Sequence, residues 1–454
     1  MKKSDKKNLK EEKDYKELSF KNLLSKFREQ AKSFPDKRAE NKSHGIEEVA
    51  LGAFSVFFTQ FPSFLSFQRS MQESKGINNA RSLFGIEEIP SDNQIRNILD
   101  LVPPEKIFPI FPQVFETLNR SGELEKYRAI KRNLLMPLDG TRYYSSETIS
   151  CECCSKTKHK NGTITYHHDV VTPVIVSPEN NRVISLEPEF IIPQDGTEKE
   201  DCENAAAKRW LNKYGEYYSR YGITILGDDL YCKQSLCELM LEKKFNFILV
   251  CKPASHKTLY EYVNELQRMG EVAEIVEKRW TGKRHETDTY RFVNQVPLKD
   301  GKEALLVNFC ELTTTREDGS VKYKNAFATN LTITKENVKE VVKCGRARWK
   351  IENENNNVLK TKGYNIEHNY GHGKHHLSTV LLTFNLIAFL FHTVLDLMDE
   401  KYKHLRDRLP TRKAFFQSVQ ALTIFLYFKN WDSLIAFMIQ GMNKQFDPAM
   451  LNSC

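Results

Sequence analysis

The spacing of apolar and polar positions changes character twice along this chain. From Ile46 through Val49, Phe54, Phe57 and Phe58 to Met71, apolar side chains recur at helical intervals, which predicts a helical run over residues 46–71. Ser91 stands three residues before Gln94, a capping-box pair ahead of a further apolar helix, and Pro103-Pro104 stops that helix. From Leu134 the pattern shifts to short apolar runs bounded by turn residues, which read as strands at 134–138, 170–176 and 183–186. The turn-prone Ser177-Pro178-Glu179-Asn180-Asn181 joins the last two into an antiparallel meander. A helix over 203–214 follows, then strand 223–226, helix 234–243 and strand 245–251, a βαβ unit. Residues 275–331 alternate around Asp300-Gly301 and Asp318-Gly319, both favourable hairpin turns, and predict a β-rich insertion. Helical spacing returns after Thr334, a plausible N-cap, and runs through Arg346, Trp349 and Glu352; apolar helices fill the remainder, including 415–428 and 434–439.

These shifts divide the 454 residues into a basic mobile arm (1–43), an N-terminal helical domain (44–130) expected to be either a DNA-binding unit or a structural bundle, an α/β domain (131–400) expected to be catalytic, with its insertion at about 252–333, and a C-terminal helical region (401–454). Charge sharpens the first boundary. The formal net charge is +8, and residues 1–43 alone hold fourteen Lys and Arg against eight Asp and Glu, an electrostatic footprint suited to nucleic acid. The stretch 377–398 is long and apolar enough to cross a bilayer, but Asn385, His392 and Asp396 interrupt it, so it is expected to be a buried core helix and no membrane partner is expected. No apolar stretch follows Met1-Lys2-Lys3-Ser4-Asp5, and reduced thiols in the cytoplasm, with association to the nucleoid, are expected.

The order of strands and helices from Leu134 is that of a ribonuclease-H-like mixed α/β sheet, in which the first and fourth strands lie side by side. The first ends in Leu138-Asp139-Gly140-Thr141 and the fourth in Gly227-Asp228-Asp229. Asp139 and Asp228 would then face each other at neighbouring strand ends, where two carboxylates repel unless a cation compensates them. An all-oxygen shell suits Mg2+ (or Mn2+). The third acid is expected from a helix, and Glu352 lies four residues after Arg348 on one face that continues to Asn356 and Lys360.

At these residues the sequence resembles bacterial transposases of the insertion-sequence-4 superfamily, which use an Asp-Asp-Glu triad. Leu138-Asp139-Gly140-Thr141 looks like their first-Asp strand, and Asp228-Asp229-Leu230-Tyr231 is similar to their Asp-Arg-Gly-Tyr element, which favours Asp228 over Asp229. Their third motif, Tyr-x2-Arg-x3-Glu-x6-Lys, is matched by Arg348-x3-Glu352; Gly345 stands at the Tyr position, Leu359 at the Lys position and Lys360 one residue later. The resemblance covers about residues 130–400 and includes a β-rich insertion before the Glu. It implies metal-dependent cleavage at terminal inverted repeats of double-stranded DNA and joining of the freed 3′ ends to target DNA, by a homodimer on paired ends. Asp139, Asp228 and Glu352 would hold the metal, Arg348 would neutralise phosphate, and Tyr231 and Lys360 would contact DNA. Trp280 in the insertion would stack on an unpaired base or, as a strand residue, pack over its sheet. Two other functions fit the same residues: a ribonuclease-H-like nuclease or resolvase, and a domesticated DNA-binding protein without catalysis.

Cys151-x2-Cys154 has knuckle spacing, and with Cys202 and His168 it forms a candidate structural zinc site. His368, His372, His375 and His376 crowd a glycine-broken segment after the Glu352 helix, expected to be either an exposed loop or a contact to phosphate or metal-bound water.

Overall fold

The computed structural model describes residues 16–39, 42–72, 78–193 and 202–443. Thirteen strands among them are β1 (Leu134–Pro137), β2 (Gly140–Ser146), β3 (Ser155–Lys158), β4 (Ile164–Val171), β5 (Val174–Ser177), β6 (Asn180–Ser185), β7 (Glu189–Ile191), β8 (Ile223–Gly227), β9 (Asn246–Val250), β10 (Ala273–Trp280), β11 (His285–Pro297), β12 (Leu306–Arg316) and β13 (Val321–Thr329). Nine form one mixed sheet in the order β10-β11-β12-β13-β9-β8-β1-β5-β6. β1 runs parallel to β8 and β8 to β9, while β5 and β6 run antiparallel. The residues of β1, β5 and β8 are all buried, as expected for strands covered on both faces.

Two sequence expectations change here. The run 170–176 is not one strand: it divides at Pro173, which lacks the N–H a central strand needs, so β4 pairs with β2, β3 and β7 in a second sheet while β5 joins the first. The insertion, expected to be β-rich, also begins with a helix, Lys257–Arg268, and its four strands extend the main sheet through β13 against β9.

The helices make the second half of the core. Phe20–Lys32, inside the expected mobile arm, is an amphipathic helix with Phe20, Leu23, Leu24, Phe27 and Ala31 buried; the rest of that expectation, residues 1–15 and 40–41, falls outside the described residues. The run 46–71 bends by 94° between Ile46–Thr59 and Phe64–Gln72, where Pro62 interrupts it. The first piece packs on the helix Leu377–Met398, which is 22 residues long and almost wholly buried, and the second packs on Arg412–Phe425. Each of the polar residues interrupting Leu377–Met398 finds a protein partner. Asn385 accepts from Gln60, the His392 ring meets the Tyr364 hydroxyl at 2.9 Å, and Asp396 pairs with Arg182 at 2.9 Å.

Candidate functional site

Strand register positions the first two acids. β1 and β8 pair with Pro137 opposite Leu226, and the Leu138 N–H donates to the Leu226 carbonyl at 2.9 Å. Two residues further along each strand lie Asp139 and Asp228, at neighbouring carboxyl ends. Asp228 is partly exposed and its carboxylate accepts the Leu230 N–H at 2.8 Å, whereas Asp229 is buried under the Lys252 N–H, the Ser255 hydroxyl and the His256 ring. Asp229 therefore anchors the following turn, and Asp228 is the acid left facing the cleft.

Glu352 arrives from the other side, on the π-helical segment Ile351–Asn356, which packs on β5 and β6. Lys350 fastens this segment by donating to the Asn180 carbonyl and the Asn181 side chain, both at 2.8 Å. Arg348 holds the Glu352 carboxylate at 2.6 Å, and one turn later the Asn356 amide donates to Asp139 at 2.7 Å. Asn355 and Thr172 complete a buried network around Asn356.

A fourth acid, Glu203, adjoins Asp139. Its carboxylate accepts the Gly140 N–H at 2.8 Å and the Tyr231 hydroxyl at 2.5 Å. Burial raises the Asp139 carboxyl to about 7, and the negative charges of Glu203, Glu352 and Asp228 push the same way against the opposing pull of Arg348. Such a cluster, four acids against the one cation Arg348, attracts further positive charge. Its all-oxygen donors fit Mg2+ or Mn2+ and are a poor match for softer ions.

Other expected site residues fall elsewhere. Tyr231 is fully buried, with its hydroxyl on Glu203, so it offers no surface to DNA and serves instead as a prop for that acid. Lys360 pairs with Glu367 at 2.9 Å. Trp280 is exposed at the end of an edge strand, with its ring against His285 at 4.8 Å. Gly345, at the family's Tyr position, lies where a Cβ would meet the Phe327 ring at 2.7 Å and Ile248 at 3.0 Å. The helix there approaches the sheet too closely for any larger residue.

The expected zinc set changes by one member. Cys151, Cys154 and His168 converge, but Cys202 is exposed at the start of the Glu203 helix, and His372 takes the fourth place. Sequence distance hid it: His372 is 218 residues from Cys154 and one of four histidines in its segment. That segment is tied down rather than a free loop. The Asp100 carboxylate accepts the N–H groups of Lys374, His375, His376 and Leu377 at 2.9–3.1 Å. Burial opposes that charge, yet the four donors hold the Asp100 carboxyl below its ordinary range.

The sequence model of the family described as "Transposase DDE domain" matches residues 155–390, a span that contains Asp228 and Glu352 and begins after Asp139. No curated protein matches the chain. Among solved structures, a piggyBac transposase synaptic complex with hairpin DNA aligns over 97% of this chain and 84% of that one, at 9% identity and a TM-score of 0.40.

Proposed function

The chain belongs to the transposase family that carries this DDE domain, and from that premise we propose that it cuts the ends of its own DNA element at terminal inverted repeats and joins the freed 3′ ends to target DNA. What supports the reading is the placement of Asp139 and Asp228 at neighbouring strand ends, with the segment that carries Glu352 bonded to Asp139 through Asn356. In this reading the β6-β5-β1-β8-β9 portion of the sheet is a ribonuclease-H-like core, with the acids at its carboxyl edge. The protein acts as a homodimer on paired ends, in the cytoplasm at the nucleoid.

Asp139, Asp228 and Glu352 would hold Mg2+ or Mn2+, which when bound supply Lewis-acid polarisation of the phosphodiester and charge stabilisation at its leaving oxygen. The protein's own part is positioning. Asn356 fixes the Asp139 carboxylate, Glu203 and Tyr231 shape the wall behind it, and Arg348 sets Glu352 while offering its remaining donors to a phosphate. Beside this helix an open groove lined by Tyr290, Tyr323, Lys339, Arg346, Trp349 and Lys350 combines cations with aromatic faces, the pairing that tracks a nucleic-acid strand.

Asp139→Asn, Asp228→Asn and Glu352→Gln are each expected to lower end cleavage and strand transfer with Mg2+ by roughly three orders of magnitude while leaving binding to end DNA within about threefold. Cleavage near the wild-type rate by any of the three removes that residue from the site. Cleavage without joining of 3′ ends to target DNA would replace transposition with a nuclease or resolvase activity.

A further inference from the structure

We propose that Cys151, Cys154, His168 and His372 bind one structural zinc ion, which clamps the segment behind the Glu352 helix to the hairpin that follows Asp139. The distances carry the assignment. Zinc bonds of about 2.3 Å to sulfur and about 2.0 Å to nitrogen, set tetrahedrally, place two sulfurs about 3.8 Å apart and a sulfur and a nitrogen about 3.5 Å apart. Cys151 Sγ and Cys154 Sγ are 3.8 Å apart. The three sulfur to imidazole separations are 3.6 Å from Cys151 to His168, 3.4 Å from Cys154 to His168 and 3.5 Å from Cys154 to His372. A disulfide would need the sulfurs at about 2.05 Å.

The surroundings are built for a ligand of this kind. The Cys151 N–H points at Cys154 Sγ at 3.4 Å, the bond that favours a thiolate in a Cys-x2-Cys turn. Tyr143 lies along His168, Tyr144 lies along His372, and Cys154, His168 and His372 are buried. His372 Nδ1 is buried with no hydrogen-bond partner among the described residues, and Nε2 faces Cys154, so without a metal this imidazole would sit in the core with its polar atoms poorly satisfied. Gly371 and Gly373, both at positive φ, let the chain turn that ring inward. Binding releases the two thiol protons.

The consequence is mechanical. Cys151 and Cys154 lie in the connection from β2 to β3, His168 lies on β4 of the same small sheet, which β2 begins immediately after Asp139, and His372 belongs to the chain that leaves Glu352 and Asn356. One ion thus ties together the two stretches that carry opposite walls of the proposed catalytic cleft. This role rests on the proposed function, but the site itself does not.

The test is elemental analysis of the purified full-length protein. About one zinc per chain is expected, retained by Cys202→Ser, Cys153→Ser and Asp139→Asn, and lost in Cys151→Ser/Cys154→Ser and in His372→Ala. Where a variant fails to fold, cobalt substituted into the wild type is expected to give the visible absorption of a tetrahedral thiolate site. Hydrogen exchange over residues 363–376 is expected to quicken at least tenfold when zinc is stripped. Wild-type protein holding zinc only at the level of the double variant, or no tetrahedral cobalt spectrum, overturns the site. Unchanged exchange after stripping overturns the clamp. Zinc present in a protein that cuts no DNA leaves this site standing and refutes the catalytic reading instead.

Discussion

Glu187 shows what a single buried acid does to this chain. It is 2% exposed, accepts the Tyr218 hydroxyl at 2.6 Å, and is pushed up to about 7 because burial penalises its charge more than the hydrogen bond relieves it. The sign of the pH effect follows. Below about 4.5 the proton is bound whether the chain is folded or not, and no penalty arises. Between about 4.5 and 7 the folded chain keeps a proton that the unfolded chain releases, so stability falls as pH rises, and above about 7 the full cost applies. Glu187→Gln keeps the acceptor and removes the charge. It is expected to melt near the wild type at pH 4.5 and to be more stable at pH 8, by on the order of 3 kcal/mol. Melting curves whose difference does not change with pH would show that Glu187 is not charged against its surroundings.

At the scale of elements, the stretch from Val338 to Thr361 explains both what resembles the family motif and what departs from it. The helix Val338–Arg346 breaks at Ala347 and Arg348, and Glu352 then sits on a π-helical turn, a widened geometry common at functional sites. The departure at Gly345 has a packing cause, since Phe327 and Ile248 occupy the space of a side chain. Gly345→Ala is therefore expected to destabilise by about 1–3 kcal/mol despite its better helix propensity, as read by denaturant titration. A stabilised variant would mean that the helix can ride away from the sheet at little cost. Lys360 pairs with Glu367 at the end of this element, at the surface.

At the scale of the molecule, the helical domain expected at 44–130 and the C-terminal helices share one core with the helix Phe20–Lys32. Phe27 stacks on Phe54 at 4.3 Å, Phe54 meets Phe391 edge-on at 5.5 Å, and Phe58 lies 4.3 Å from the His392 ring and 5.1 Å from Trp431. Phe54→Ala opens a cavity where three distant segments meet and is expected to cost about 3–5 kcal/mol. Limited proteolysis should then expose the helices Phe20–Lys32 and Leu377–Met398 together. Release of one without the other would show that they are held by separate cores.

Local order was legible without coordinates because it depends on neighbours a few residues apart. Period and turn chemistry placed the βαβ unit, the hairpins at Gly301 and Gly319, the capping box at Ser91 and the apolar helix 377–398, and polar interruptions in that helix marked it as protein-buried. The order of strands was enough to set Asp139 beside Asp228 as an expectation. What no period encodes is which distant surfaces meet. The break of 170–176 into strands of two sheets, the burial of Tyr231 behind Glu203, the bond from Asn356 to Asp139, the replacement of Cys202 by His372 and the need for Gly345 all depend on contacts made across the folded chain. Those choices follow from steric fit and from the cost of leaving buried polar groups unpaired, quantities that exist only once the elements have packed.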